Sequence, residues 1–139
     1  MNYPHPRPQK FTVRIGKSSA GLGLFAKEEI PPNRFVIEYW GKLVLDKVAD
    51  TVSGRYLFGL GNGKTILGGT RKNIARYINH ACRPNAEART YGNRIYIYSK
   101  KRINAGDEIT YSYGKEYTDA FIKPYGCLCK TCTKRKGKK

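Results

Sequence analysis

The run RYINHACRPN (residues 76–85) sets an Asn-His pair, a lone Cys and a Pro-Asn turn almost end to end. Each constrains the chain in a different way. Asn and His carry several hydrogen-bonding groups, a thiolate can ligate a metal, and Pro followed by Asn turns the backbone. A structural role accounts for any one of these singly. Their combination in one short segment points to a site around which the chain is organised.

Size and composition bound what that site can serve. With 139 residues and a mass of 15.8 kDa, the chain is expected to form one domain with a real core. Eleven residues are Tyr, a side chain suited to clefts that are apolar with one polar end, although Tyr-rich strands in an ordinary core give the same count. No apolar run reaches the length of a membrane span. The start, MNYPHPRPQK, lacks the apolar stretch of a secretory signal. An intracellular protein without membrane contact is therefore expected, cytoplasmic, or nuclear and chromatin-associated if the source is eukaryotic. The net charge of +17 favours acidic partners, nucleic acid or a nucleosome among them, with salt-sensitive association. A solvated lysine-rich surface accounts for it equally well.

All four cysteines fit one site. Cys127, Cys129 and Cys132 read C-x-C-x2-C, and Cys82 lies inside the opening run. Two disulfides, in three pairings, are the alternative, but they are uncommon inside cells. Zinc held by four thiolates ranks above disulfides, and both rank above four unrelated core thiols. Lys130, Lys134 and Arg135 are close in sequence to offset the negative charge such a site carries.

Along the chain, alternation and turn residues predict mostly short strands, over residues 11–15, 24–26, 34–39, 55–60, 65–67, 86–91, 94–99 and 109–113. Helical signals are weak and confined to residues 46–50, 72–78 and 117–122. GLGNGKT (residues 59–65) resembles a phosphate-binding loop, yet Phe58 stands where its first glycine belongs and no helical pattern follows. A hairpin turn is the better reading. The pattern is mainly β, with short helices.

Four segments now fall in order: AGLGLFA (residues 20–26), EYWG (38–41), RYINHACRPN (76–85) and EITYSYG (108–114). They resemble the successive signatures of the SET-domain protein-lysine methyltransferases, and the terminal CLCKTC is similar to the family's post-SET zinc motif. The resemblance implies a SET-type β-clip fold of small twisted sheets, with a C-terminal pseudoknot and a zinc-bound post-SET flap. It implies a flexible N-terminal tail over 1–10, a SET domain over 11–117, the flap over 118–133 and a basic tail over 134–139. The implied activity is S-adenosylmethionine-dependent transfer of a methyl group to a lysine of a protein substrate, histones being the best-known targets. The implied cofactors are S-adenosyl-L-methionine and structural Zn2+.

Roles carry over residue by residue. Tyr113 matches the catalytic tyrosine and Tyr39 the second phenol at the base of the lysine channel. Tyr56, Phe58 and Tyr117 are expected as channel walls, with Tyr125 as a further closure from the flap. Tyr111 stands where a Phe or Tyr sets product number, and a Tyr there implies mainly monomethylation. Gly21, Leu22, Gly23, Asn79 and His80, with Tyr39 and Tyr113, are expected around the cofactor, and Cys82, Cys127, Cys129 and Cys132 around zinc. Arg76 is expected as a structural brace. Taken alone, each tyrosine would more often be a half-buried strand residue, and each glycine a plain turn. Two departures stand out: the post-SET spacing is two residues shorter than the usual C-x-C-x4-C, and Ala81 replaces the commoner Ser. An inactive SET module that binds protein or nucleic acid, and a small basic zinc protein, are the alternatives to an enzyme.

Overall fold

A computed structural model describes residues 6–19, 21–51 and 56–112. Ten short strands lie in three small sheets. The first sheet holds β1 (Val13–Ser18), β2 (Gly21–Ala26), β10 (Glu108–Tyr111) and β7 (Asn79–His80), in the order β1-β2-β10-β7. The second is β3 (Phe35–Tyr39), β9 (Arg94–Ser99) and β8 (Ala86–Tyr91), ordered β3-β9-β8. The third is β4 (Lys42–Leu45), β6 (Lys64–Leu67) and β5 (Leu57–Gly59), ordered β4-β6-β5. One helical turn, α1 (Asp46–Ala49), and one 3-10 turn (Ile74–Tyr77) complete the described elements.

The predicted strands are largely present, with shifted ends. The first runs over β1 rather than from residue 11, because it pairs in register with all of β2, Val13 opposite Ala26 through Ser18 opposite Gly21. β2 therefore starts at Gly21, ahead of its apolar residues. β4 and β7 were not predicted. β4 is an edge strand with Leu43 and Leu45 exposed, so it has no apolar face to betray it, and β7 is too short for any periodicity. The helix expected over 72–78 contracts to the 3-10 turn. The helix expected at 117–122 lies outside the described residues, as does Arg55.

GLGNGKT forms the hairpin between β5 and β6. Gly61 and Gly63 take φ values of 79° and 87°, conformations open to glycine at little cost, and Leu60 N–H closes the loop onto Lys64 C=O at 2.9 Å. The core gathers where the sheets meet and is built from Leu24, Ile30, Val36, Ile66, Ile78, Ile95, Ile97, Ile103 and Ile109, each 4 % exposed or less. Strict alternation in β9, with Ile95, Ile97 and Ser99 inward and Arg94, Tyr96 and Tyr98 outward, is the half-buried strand pattern. Outside it, Phe35 meets Tyr96 edge-on at 5.3 Å, and the Arg7 guanidinium lies 4.1 Å from the Phe35 ring centre. Arg7, in the segment expected as a tail, also donates its backbone N–H to the buried Glu38 carboxylate at 2.6 Å.

Candidate active site

The first sheet brings three of the four signatures together. β10 runs antiparallel to β2 through Ile109 opposite Leu24, and parallel to β7 through Thr110 opposite Asn79 and Tyr111 opposite His80. Parallel neighbours cannot be joined by a tight turn. The segment between them, residues 81–107, supplies β8, β9 and a return loop.

Asn79 is the junction. Its Nδ2 donates to Leu22 C=O at 2.8 Å and to Glu108 Oε2 at 2.9 Å, and lies 3.2 Å from Ser18 Oγ. Ser18 in turn donates its hydroxyl to Glu108 Oε1 at 3.0 Å. One carboxylate thus receives both neighbours and ties β1, β2, β7 and β10 across the sheet. Gly23 makes room for it, since a Cβ at this position would collide with Glu108 Oε2 and press on Ser18 Cβ. Gly21 is different. It holds φ at 102°, and nothing lies within 4 Å of where its Cβ would be. The open backbone of this turn is therefore at Gly21, while the space beside Gly23 is filled by protein. Leu22 is 52 % exposed and only its carbonyl is engaged by Asn79.

Partial burial holds the His80 imidazole below its usual pKa, so the ring is neutral at pH 7. Its Nε2 lies 3.7 Å from the Cys82 sulfur, and Cys82 is exposed. Cys127, Cys129 and Cys132 lie outside the described residues, and no cluster of three metal-ligating side chains occurs among those that are described. Cys82 is sterically able to offer one thiolate from an accessible position.

The second cluster is aromatic. Tyr39 closes β3 and is 4 % exposed, and Tyr111 closes β10 and is 6 % exposed. Phe58 of β5 lies between them, its ring centre 5.3 Å from that of Tyr39 and 6.2 Å from that of Tyr111, nearly parallel to the latter at 12°. Three sheets thus contribute one ring each. Tyr56 is two residues before Phe58, on the same side of an extended segment. Its carbonyl accepts the Gly68 N–H at 2.7 Å, and a Cβ on Gly68 would strike the Tyr39 phenol. Tyr113, Tyr117 and Tyr125 lie outside the described residues.

Two residues that motif reading passed over hold these clusters in place. Asn73, fully buried, donates Nδ2 to Gly68 C=O at 3.0 Å and accepts the Trp40 N–H on Oδ1 at 3.3 Å. Asn at the start of a short helical turn reads as a cap, yet no capping bond forms. Asn85 donates Nδ2 to Glu108 C=O at 2.8 Å and accepts the Thr110 N–H at 2.9 Å. Its amide thereby stands in for a strand partner of β10. The paired glycines at 68–69 and the Pro-Asn turn were the available signals.

A SET domain family model matches residues 21–114. The chain belongs to the SET-domain family. Among curated proteins it is 44 % identical over 122 residues to Histone-lysine N-methyltransferase set1 of Dictyostelium discoideum, covering 78 % of this chain and 8 % of that protein. It is 41 % identical over 125 residues to Histone-lysine N-methyltransferase, H3 lysine-4 specific, of Schizosaccharomyces pombe, covering 80 % and 13 % respectively. To Histone-lysine N-methyltransferase set-2 of Caenorhabditis elegans it is 37 % identical over 140 residues, covering 89 % and 9 %. The SET domain here thus spans about a tenth of the length of these relatives. Among the described residues, no helix is long and apolar enough to cross a membrane.

Proposed function

We propose that this SET domain transfers a methyl group from S-adenosylmethionine to the side-chain amine of a lysine in a protein substrate, stopping mainly at monomethyl-lysine. The observation that carries the reading is the packing of Tyr39, Phe58 and Tyr111 from three sheets, Tyr111 belonging to the sheet that joins the glycine turn to Asn79 and Glu108. When bound, the cofactor supplies an electrophilic methyl on a sulfonium. The open backbone at Gly21 and the neutral His80 beside Asn79 suit the close approach of such a molecule.

The remaining work falls to the chain. Lysine near neutrality is an ammonium, with an unperturbed pKa of about 10.4. Closely packed rings exclude water and so favour the neutral amine, the form that can attack. Tyr39 and Tyr111 present phenols that can orient the amine, while Tyr113 is assigned the hydroxyl nearest the transferring methyl. Alignment is the main source of acceleration in such a displacement. The Tyr111 hydroxyl is assigned the limit on product number, by holding a water where a further methyl would go. Cys82, Cys127, Cys129 and Cys132 are assigned to one structural zinc that fastens the segment after the fourth signature, including its crossing over the third.

The names of the relatives make histone lysines the first substrates to test, in chromatin, where the charge of +17 would draw the chain to nucleic acid. Incubation with labelled cofactor and either whole-cell protein or nucleosomes, followed by mapping of the labelled residue, tests the proposal. Label on a lysine, lost in Tyr113→Phe, is the expected result. Cofactor binding without any transfer would support the inactive-module alternative, and no cofactor binding would overturn the assignment.

A further inference from the structure

Arg76 holds a cation where a simple brace would need none. Its Nη1 donates to Gly69 C=O at 2.9 Å, and its guanidinium carbon sits 4.0 Å from the Tyr56 ring centre and 5.1 Å from that of Tyr77. Its Nε is buried and has no hydrogen-bond partner. Among the described residues the ion pairs are Arg89 with Glu87, Arg94 with Glu38 and Arg102 with Glu29, so no carboxylate compensates Arg76. Only that Nε is buried, since the residue as a whole is partly exposed and its bond to Gly69 lies at the surface, and one buried N–H left unpaired is costly. The aromatic faces provide the compensation available here, because a ring face attracts a cation and accepts an N–H weakly.

The Tyr56 ring is therefore not a passive wall. Its face is needed by Arg76, and its position is set by Arg76 in return. From there the contacts lead directly to the pocket. Gly69, whose carbonyl Arg76 holds, follows Gly68, which donates to Tyr56 C=O, accepts from Asn73 Nδ2, and lies against the Tyr39 phenol. The Gly68–Gly69 strap is thus fixed from one side by Arg76 and Asn73, and on the other side it supports Tyr39.

We propose that Arg76 is a positioning residue for methyl transfer, acting through the Tyr56 ring and the Gly68–Gly69 strap to fix the lysine pocket between Tyr39, Phe58 and Tyr111. The proposal rests on the methyl-transfer reading above. A guanidinium is required because the task combines a directed bond to a carbonyl with planar stacking on a ring, and an ammonium performs only the first.

The test is a double-mutant cycle on the full chain, with core histones and labelled cofactor as the assay and cofactor affinity measured separately by calorimetry. Arg76→Gln is expected to lower kcat roughly tenfold, the scale of a small misplacement of reacting groups, with cofactor affinity unchanged within about twofold. Arg76→Lys is expected to recover only part of that loss. In a Tyr56→Leu background, Arg76→Gln should cost less than about threefold, because contacting residues acting through one another are not additive. A brace that acts only on stability would leave the two effects additive once both are assayed well below their melting temperatures. Additive effects with an active wild-type chain, or full rescue by Lys, overturn this proposal alone. If the wild-type chain transfers no label to any lysine, the methyl-transfer reading falls and this proposal with it. Should Arg76→Gln fail to fold, the Arg76→Lys arm in both backgrounds decides the same question.

Discussion

Asn85 brackets Ile109, accepting the Thr110 N–H on Oδ1 at 2.9 Å while its Nδ2 donates to the Glu108 carbonyl, two residues earlier, at 2.8 Å. The turn after the third signature is thereby fastened to the strand that opens the fourth. Asn85→Ala would strip partners from two half-buried backbone groups at once. An unmade buried hydrogen bond costs about 1–3 kcal/mol, so a loss of roughly 2–4 kcal/mol in denaturant unfolding is expected. Asn85→Asp should recover the bond to Thr110 N–H only. Unfolding indistinguishable from wild type would show that the bracket contributes nothing.

Gly23 and Gly21 should respond differently to alanine. At Gly23 the new methyl meets Glu108 and Ser18, so Gly23→Ala should break the bonds from Asn79 and Ser18 to the carboxylate and destabilise the chain by about 1–3 kcal/mol. Gly21→Ala meets no atoms but must hold φ at 102°, a strain of about 1–2 kcal/mol. Glu108→Ala in the Gly23→Ala background removes the collision with the carboxylate and leaves only the contact with Ser18. Amide chemical shifts of residues 79 and 108 should therefore change in Gly23→Ala and stay near wild type in Gly21→Ala.

Acid should loosen the start of the fold through Glu28. The backbone N–H of Thr12 and then its hydroxyl, each 2.8 Å from Oε2, hold the Glu28 carboxyl below its usual pKa. A lowered folded-state value means that the carboxylate's contribution is present above the unfolded pKa. It is lost as pH falls through the folded value. A carboxyl titration followed by NMR should place the Glu28 midpoint below that of the same residue in Thr12→Val, which removes the hydroxyl. Equal midpoints would refute the role of the hydroxyl bond.

Product number is expected to follow Tyr111. If its hydroxyl limits the pocket, Tyr111→Phe should shift the product from monomethyl- toward di- and trimethyl-lysine, with the first transfer retained within about threefold, since displacing a well-bonded water is what the substitution avoids. Mass spectrometry of a peptide after exhaustive reaction measures this. Predominant trimethylation by the wild-type enzyme would end the assignment.

Zinc content should be about one per chain, as a closed four-thiolate site requires. Cys82→Ser and Cys129→Ser should each lower metal content and transfer, while far-ultraviolet circular dichroism stays near wild type, because the proposed zinc would tie Cys82 to the last three cysteines and would not touch the isoleucine core. A metal-free chain with full activity would be incompatible with the site.

What the sequence by itself determined is the material that local chemistry encodes. The hairpin at 59–65 was legible from its glycines, β8 and β9 from their alternation around Gly92-Asn93, and the family from four short signatures in order. Edge strand β4, with its leucines exposed, and the two-residue β7 carry no periodic signal, and only pairing with β6 and β10 makes them strands. Gly23 is expected from its motif around the cofactor, yet whether ligand or protein fills the space beside it depends on Glu108, far along the chain. The tertiary structure alone decided that Asn79 reaches Leu22 and Glu108 at once, that Tyr39, Phe58 and Tyr111 meet from three sheets, and that the Arg76 cation is seated on Tyr56. The physical reason is common to all of them: hydrogen-bond satisfaction and ring packing act between atoms brought together by sheet topology, and separation along the chain does not record that proximity.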